Sequence, residues 1–168
     1  MRLFVAINFT EPFRQAVLDY QSALKRAALS GNFSRPENLH MTLAFIGEVP
    51  NASGALRAVK SVSFEPFELR LSGGGRFGGR DTSALYWVGV DSKNRADDLA
   101  GAVRAALKRE GVPFDDKPFK PHITVAREVE MGGMPFRAKV PDASMTVCRI
   151  SLMKSERING RLIYSEIK

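Results

Sequence analysis

The chain has 168 residues, 44% apolar and 26% charged, close to the averages for soluble globular proteins, so disorder, collagen-like structure and a disulfide scaffold are excluded. At roughly 150 residues per domain it makes about one domain. Lys plus Arg number 25 against 18 for Asp plus Glu, and a surplus of +7 draws polyanions such as nucleic acid, although ordinary solubility accounts for it equally well.

Leu3 to Phe9 is apolar on both parities and reads as a buried strand. Thr10 can cap a helix whose apolar positions Phe13, Val17, Tyr20, Leu24 and Ala27 or Ala28 follow at steps of three and four. A second strand is predicted over 40–46 and a short helix over roughly 52–61. Segments 66–71 and 84–90 read as a strand pair around a Gly-rich connection. Asp91 or Ser92 starts another helix, with Leu99, Val103, Ala106 and Leu107 on one face and Gly111 as its stop. Strands over 122–127, 145–153 and 161–167 follow, the last two joined through the hairpin signal Ile158-Asn159-Gly160. Two long helices and about seven strands make an α+β chain.

No apolar run approaches the ~20 residues that span a bilayer, and Asn8 ends the opening apolar stretch too early for a signal peptide. The single Cys148 cannot form an internal disulfide, which suits a reducing compartment. A cytoplasmic protein without a membrane partner is therefore expected.

Both His residues of the chain stand in one short pattern, nearly half the chain apart. His40-Met41-Thr42-Leu43-Ala44 matches His122-Ile123-Thr124-Val125-Ala126 position by position. Alternate residues of a strand share a face. His40, Thr42 and Ala44 are thus placed opposite Met41, Leu43 and Phe45, and the second copy repeats the arrangement. The apolar face pins each strand to a core, where Phe45 also belongs, and the polar face lines a cleft. A duplicated βαβ-type lobe with one motif per lobe explains the echo.

Imidazoles titrate near pH 6.5, so a neutral one can take a proton from water while a charged one gives a proton to a departing alkoxide. Hydroxyls two residues on can hold phosphate oxygens. Arg127 offers a planar fork for a phosphate, but its parity brings it to the cleft only if the strand ends, twists or bulges. A lone His-x-Thr is usually structural; a repeated one that uses every His is poorly explained by chance. Two His without neighbouring Cys or carboxylates make a thin metal set, so no metal or cofactor is expected. Cys148 lies in an apolar pattern and reads as core, and no G-x-S-x-G elbow is present. Phe119 is a candidate for stacking on a base. The stretch Ser72 to Arg80 can cradle phosphate through backbone N–H groups, with Arg76 and Arg80 adding charge, but the commoner reading is a mobile hairpin loop. Arg95, Arg104, Lys108 and Arg109 decorate the second long helix and add only general affinity for RNA.

Paired H-x-T-x motifs resemble the 2H phosphoesterase superfamily. Arg35-Pro36-Glu37-Asn38-Leu39-His40-Met41-Thr42-Leu43-Ala44-Phe45-Ile46-Gly47-Glu48 resembles the E-N-L-H-x-T-L-x-F-x-G-E stretch of the RNA 2′,3′-cyclic phosphodiesterases, also described as 2′-5′ RNA ligases. Phe119-Lys120-Pro121-His122-Ile123-Thr124-Val125-Ala126-Arg127 is similar to their F-x-P-H-x-T-x-A-R stretch, and Arg2 to Ile7 and Leu85 to Val90 also fit. The resemblance implies a single bilobal domain over 1–168, with two pseudo-symmetric lobes of antiparallel sheet, helices outside and a central cleft. It implies metal-independent opening of a 2′,3′-cyclic phosphate to a 2′-phosphate, with ligation as a possible reverse activity. His40 is then the general acid at O3′, His122 the general base for water, and Thr42, Thr124 and Arg127 hold phosphate. The expected partner is an RNA end or a cyclic nucleotide, bound by a monomer. A 2′-5′ oligonucleotide, an ADP-ribose cyclic phosphate, or a non-catalytic RNA-end-binding module are the other readings.

Overall fold

Leu3, Val5 and Ile7 are almost wholly buried, and β1 (Arg2–Ile7) accordingly runs through the interior of a sheet. The computed structural model describes residues 1–78 and 84–168. One antiparallel sheet has the order β3-β1-β8-β9, with β3 (Met41–Glu48), β8 (Ser151–Ile158) and β9 (Arg161–Ile167). The other has the order β2-β6-β5-β4-β7, with β2 (Ser30–Phe33), β6 (His122–Glu130), β5 (Ala84–Asp91), β4 (Phe67–Phe77) and β7 (Ser144–Val147). The α+β expectation holds, with nine strands among the described residues rather than about seven.

Helix α1 (Glu11–Ala27) buries Phe13, Ala16, Val17, Tyr20, Gln21 and Leu24, the face its spacing predicts. It packs against β2 and β6, so it covers the sheet that begins after it rather than the one holding β1. Helices α2 (Ser53–Ser61) and α3 (Arg95–Arg109) pack together over β3 and β8 of the first sheet. Each sheet is thus covered by a helix whose preceding strand lies in the other.

Several expectations change. Thr10 sits at the N-cap of α1 without a side-chain cap bond. Helix α3 begins at Arg95, later than expected, yet the Ser92 hydroxyl still accepts from the Ala96 N–H at 2.9 Å. Gly111 does close it, at φ +67°. The run 145–153 is two strands in two sheets: Met145–Val147 pairs with β4, and Ser151–Met153 with β1. The chain crosses between sheets at Cys148, which is exposed rather than core. Ser72–Phe77 is not a hairpin loop but the second half of β4, paired with β5. Its glycines make room for aromatic rings, since a Cβ on Gly75 would run into the Trp87 indole and one on Gly74 into the Tyr20 ring. Arg76 pairs across from Tyr86, one of the buried side chains on the α1 side, so it stands on the face away from Trp87. Gly79 and Arg80 lie outside the described residues.

Candidate active site

The two motif strands share one irregularity. In β3, Thr42 pairs with Ala6 and Ala44 with Val5, so Leu43 is an extra residue. In β6, Thr124 pairs with Trp87 and Ala126 with Tyr86, so Val125 is extra. A bulge of this kind lets two successive side chains point to the same face and reverses the alternation beyond it. Leu43 and Ala44 are both buried, as are Val125 and Ala126. The expected alanine on the polar face is therefore core in both copies. Past each bulge the next side chain emerges on the motif's face: Phe45, 36% exposed and not core, and Arg127, whose parity is thereby repaired.

The consequence is one cleft of about 520 Å³ lined by His40, Thr42, His122, Thr124, Arg127 and Tyr164, with Phe33, Arg35 and Arg157 on its walls. Among the described residues Arg127 has no carboxylate partner. Phe119 is half-buried against the core and is not among the lining residues. The ring that meets His122 is that of Phe77, edge-on at 5.5 Å between centroids.

Both imidazoles are held in the same way. His40 Nδ1 lies 2.7 Å from the Asn38 carbonyl, and His122 Nδ1 lies 2.6 Å from the Lys120 carbonyl. A carbonyl only accepts, so each Nδ1 carries the proton and each Nε2 is left for the cleft. Asn38 is itself anchored, its amide donating to the Leu162 carbonyl at 2.9 Å. The Thr42 hydroxyl stands 2.9 Å from His40 Nε2 and, with the ring neutral, donates to it. Phe4 and Tyr164 pack against the His40 ring at 4.8 and 5.3 Å between centroids. That burial lowers the His40 pKa below its ordinary 6.5, and the positive fields of Arg127 and His122 push the same way, against the backbone hydrogen bond to Asn38. Burial raises the Tyr164 phenol, partly offset by Arg127, Arg2 and Arg157. No group of three or more His, Cys, Asp or Glu side chains able to hold a metal ion occurs among the described residues.

Tyr164 and Arg157 were not singled out by the sequence. Their place depends on β9 lying beside β8 and β8 beside β1, pairings that no local pattern carries. The alternation along the hairpin after Asn159-Gly160 would give their parity, but not what they face.

Two imidazoles with matching tautomers, each with a threonine hydroxyl two residues on, stand about one cleft with an arginine that has no carboxylate partner among the described residues, in an α+β fold of the 2H phosphoesterase kind. The model of the 2′-5′ RNA ligase superfamily matches residues 10–159, and the chain belongs to that family. It is similar to an RNA 2′,3′-cyclic phosphodiesterase of Methanothermobacter thermautotrophicus, 30% identical over 100% of this chain and 97% of the relative. Another, from Archaeoglobus fulgidus, is 36% identical over 76% of this chain and 72% of its own. The structure of E. coli LigT complexed with 3′-AMP superposes with a TM-score of 0.81 at 26% identity, covering 99% of this chain and 95% of that one. No helix among the described residues is long and apolar enough to cross a membrane.

Proposed function

We propose that the chain opens terminal 2′,3′-cyclic phosphates of RNA to 2′-phosphomonoesters, with His122 as general base and His40 as general acid. The single observation that carries this reading is the matched pair of Nδ1–H anchors, which leaves an Nε2 of each ring toward one cleft beside Arg127. The curated relatives bear the name of that activity. Water gives its proton to His122 Nε2 and attacks phosphorus; the P–O3′ bond breaks, and O3′ takes the proton of His40 Nε2. Thr42, Thr124 and Arg127 hold the non-bridging oxygens as their charge grows. His40 is depressed in the free protein, so the acid forms when the anionic phosphodiester enters and favours the imidazolium. Thr42 then turns its hydroxyl from Nε2 to the phosphate.

All these groups come from one chain, which supports a monomer acting without cofactor. The exposed Cys148 suits the reducing cytoplasm in which we place it.

The experiment is incubation with 2′,3′-cyclic AMP and with a short RNA ending in a cyclic phosphate, with and without EDTA, beside His40→Ala and His122→Ala. Formation of 2′-phosphate that survives EDTA and vanishes in both variants is the expected result. Loss with EDTA overturns the acid–base account; RNA bound but unaltered points to a binding module. A substrate with sulfur at the O3′ position should restore turnover to His40→Ala and not to His122→Ala; the reverse pattern exchanges the two roles.

A further inference from the structure

The cleft does not end at the histidines. Across Thr42, Arg127 and Tyr164 it runs on into a second groove of about 660 Å³, bordered by Phe45, Arg2 and Arg157. Neither Phe45 nor Arg2 has a part in opening the ring. Phe45 is held out of the core by the β3 bulge, and the Arg2 guanidinium lies over its ring at 4.9 Å from the centroid. A planar cation over an exposed aromatic ring presents the kind of surface on which nucleobases stack.

The charge of the groove points the same way. Arg2, Arg127 and Arg157 have no carboxylate partner among the described residues. The two acids at the rim are already engaged, Glu48 by the N-terminal amine at 3.4 Å and Glu156 by Lys154 at 2.7 Å. Because Leu43 is the extra residue of the bulge, Phe45 stands only two ladder steps from Thr42, the two lying opposite Phe4 and Ala6. That is roughly 7 Å of strand at about 3.3 Å per residue, a separation of the order of one nucleotide unit.

We infer that this groove is a subsite for the nucleotide preceding the cyclic-phosphate end. Its base stacks on Phe45 beside Arg2, and its phosphate lies against Arg157. The inference rests on the ring-opening reading of the cleft and narrows it: the substrate is an oligonucleotide end rather than a free cyclic mononucleotide.

The test compares three substrates on the unaltered protein: 2′,3′-cyclic AMP, an RNA trimer ending in a cyclic phosphate, and the same trimer with its penultimate base removed. The intact trimer should exceed the other two by about tenfold in kcat/KM, through KM rather than kcat. In Phe45→Leu and in Arg2→Gln the ratio of intact to abasic trimer should fall toward one. Equal rates for intact and abasic trimer in the unaltered protein overturn the subsite, as does an undiminished ratio in Phe45→Leu. If none of the three is opened, the ring-opening reading fails instead. The subsite is then judged by trimer binding, where tighter binding of the intact trimer supports it and equal affinity overturns it.

Discussion

Gln21, buried on α1, places its side-chain amide 2.9 Å from the carbonyl of Val125, the extra residue of the β6 bulge. The same amide donates to the Ser34 carbonyl at 2.7 Å, and the Val125 carbonyl also accepts from the Ser34 N–H at 2.9 Å. The Val125 carbonyl therefore has two donors, and the same Gln21 amide satisfies the partly buried Ser34 carbonyl, an acceptor costly to leave unpaired, so that it ties the bulge and the end of β2 to α1. Gln21 thus holds the irregularity that turns Arg127 into the cleft, from a helix that touches no substrate group.

Replacing Gln21 tests this. Gln21→Leu should lose about 1–3 kcal/mol of stability in urea unfolding. Gln21→Glu should lose more, because a carboxylate cannot donate to two carbonyls. Catalytic efficiency should fall in both variants at temperatures where they remain folded, since Arg127 is less firmly presented.

Arg127 itself should not tolerate lysine. The fork can take two phosphate oxygens at once, whereas an ammonium is a point charge. Removing a charge-assisted hydrogen bond costs about 1.5–3 kcal/mol, so Arg127→Ala should lose roughly ten- to a hundredfold in kcat/KM. Arg127→Lys should recover only part of that.

His40 gives a pH signature with a definite sign. Its folded pKa lies below the ordinary 6.5, so between those two values the unfolded chain binds the extra proton. Stability should therefore fall as pH drops below about 6.5, until the folded group also titrates. Urea unfolding between pH 7.5 and 5.5 should show that slope, and His40→Asn should flatten it. Adding 2′-AMP should raise the His40 midpoint seen by proton NMR, because its phosphate offsets the positive field of Arg127 and His122.

Gly75 distinguishes structure from phosphate binding in the glycine-rich strand. A Cβ there meets the Trp87 indole, so Gly75→Ala should destabilise by about 1–3 kcal/mol through overpacking. Catalysis per folded molecule should change little. A selective loss of RNA affinity without loss of stability would return the segment to a phosphate-binding role.

Much of this was legible beforehand for a physical reason. The buried face of α1 follows from steps of three and four, and Asn159 and Gly160 take the positive φ values of 51° and 77° that an Asn-Gly hairpin turn needs. His40 and His122 stood out because nothing else in the chain shares their type. The bulges did not, since Leu43-Ala44 and Val125-Ala126 satisfy simple alternation as well as they satisfy a bulge. Alanine is small enough for either face, and no glycine or proline marks the irregularity. Simple alternation alone therefore puts Phe45 in the core and brings Arg127 to the cleft only where the strand ends, twists or bulges; the matching bulges of β3 and β6 decide both. Apolar continuity through 145–153 predicts one strand, because it does not reveal a change of sheet.

The exchange of helices between the sheets also governs how the chain can be divided. A cut between α2 and β4 would leave the first fragment with β1 and β3 but without α3, and the second with β4, β5 and β6 but without α1. Neither piece could cover its own sheet, so each would display an apolar face complementary to the other. Such fragments should fold only on meeting, and a half-length chain with this wiring could close only around a second copy of itself.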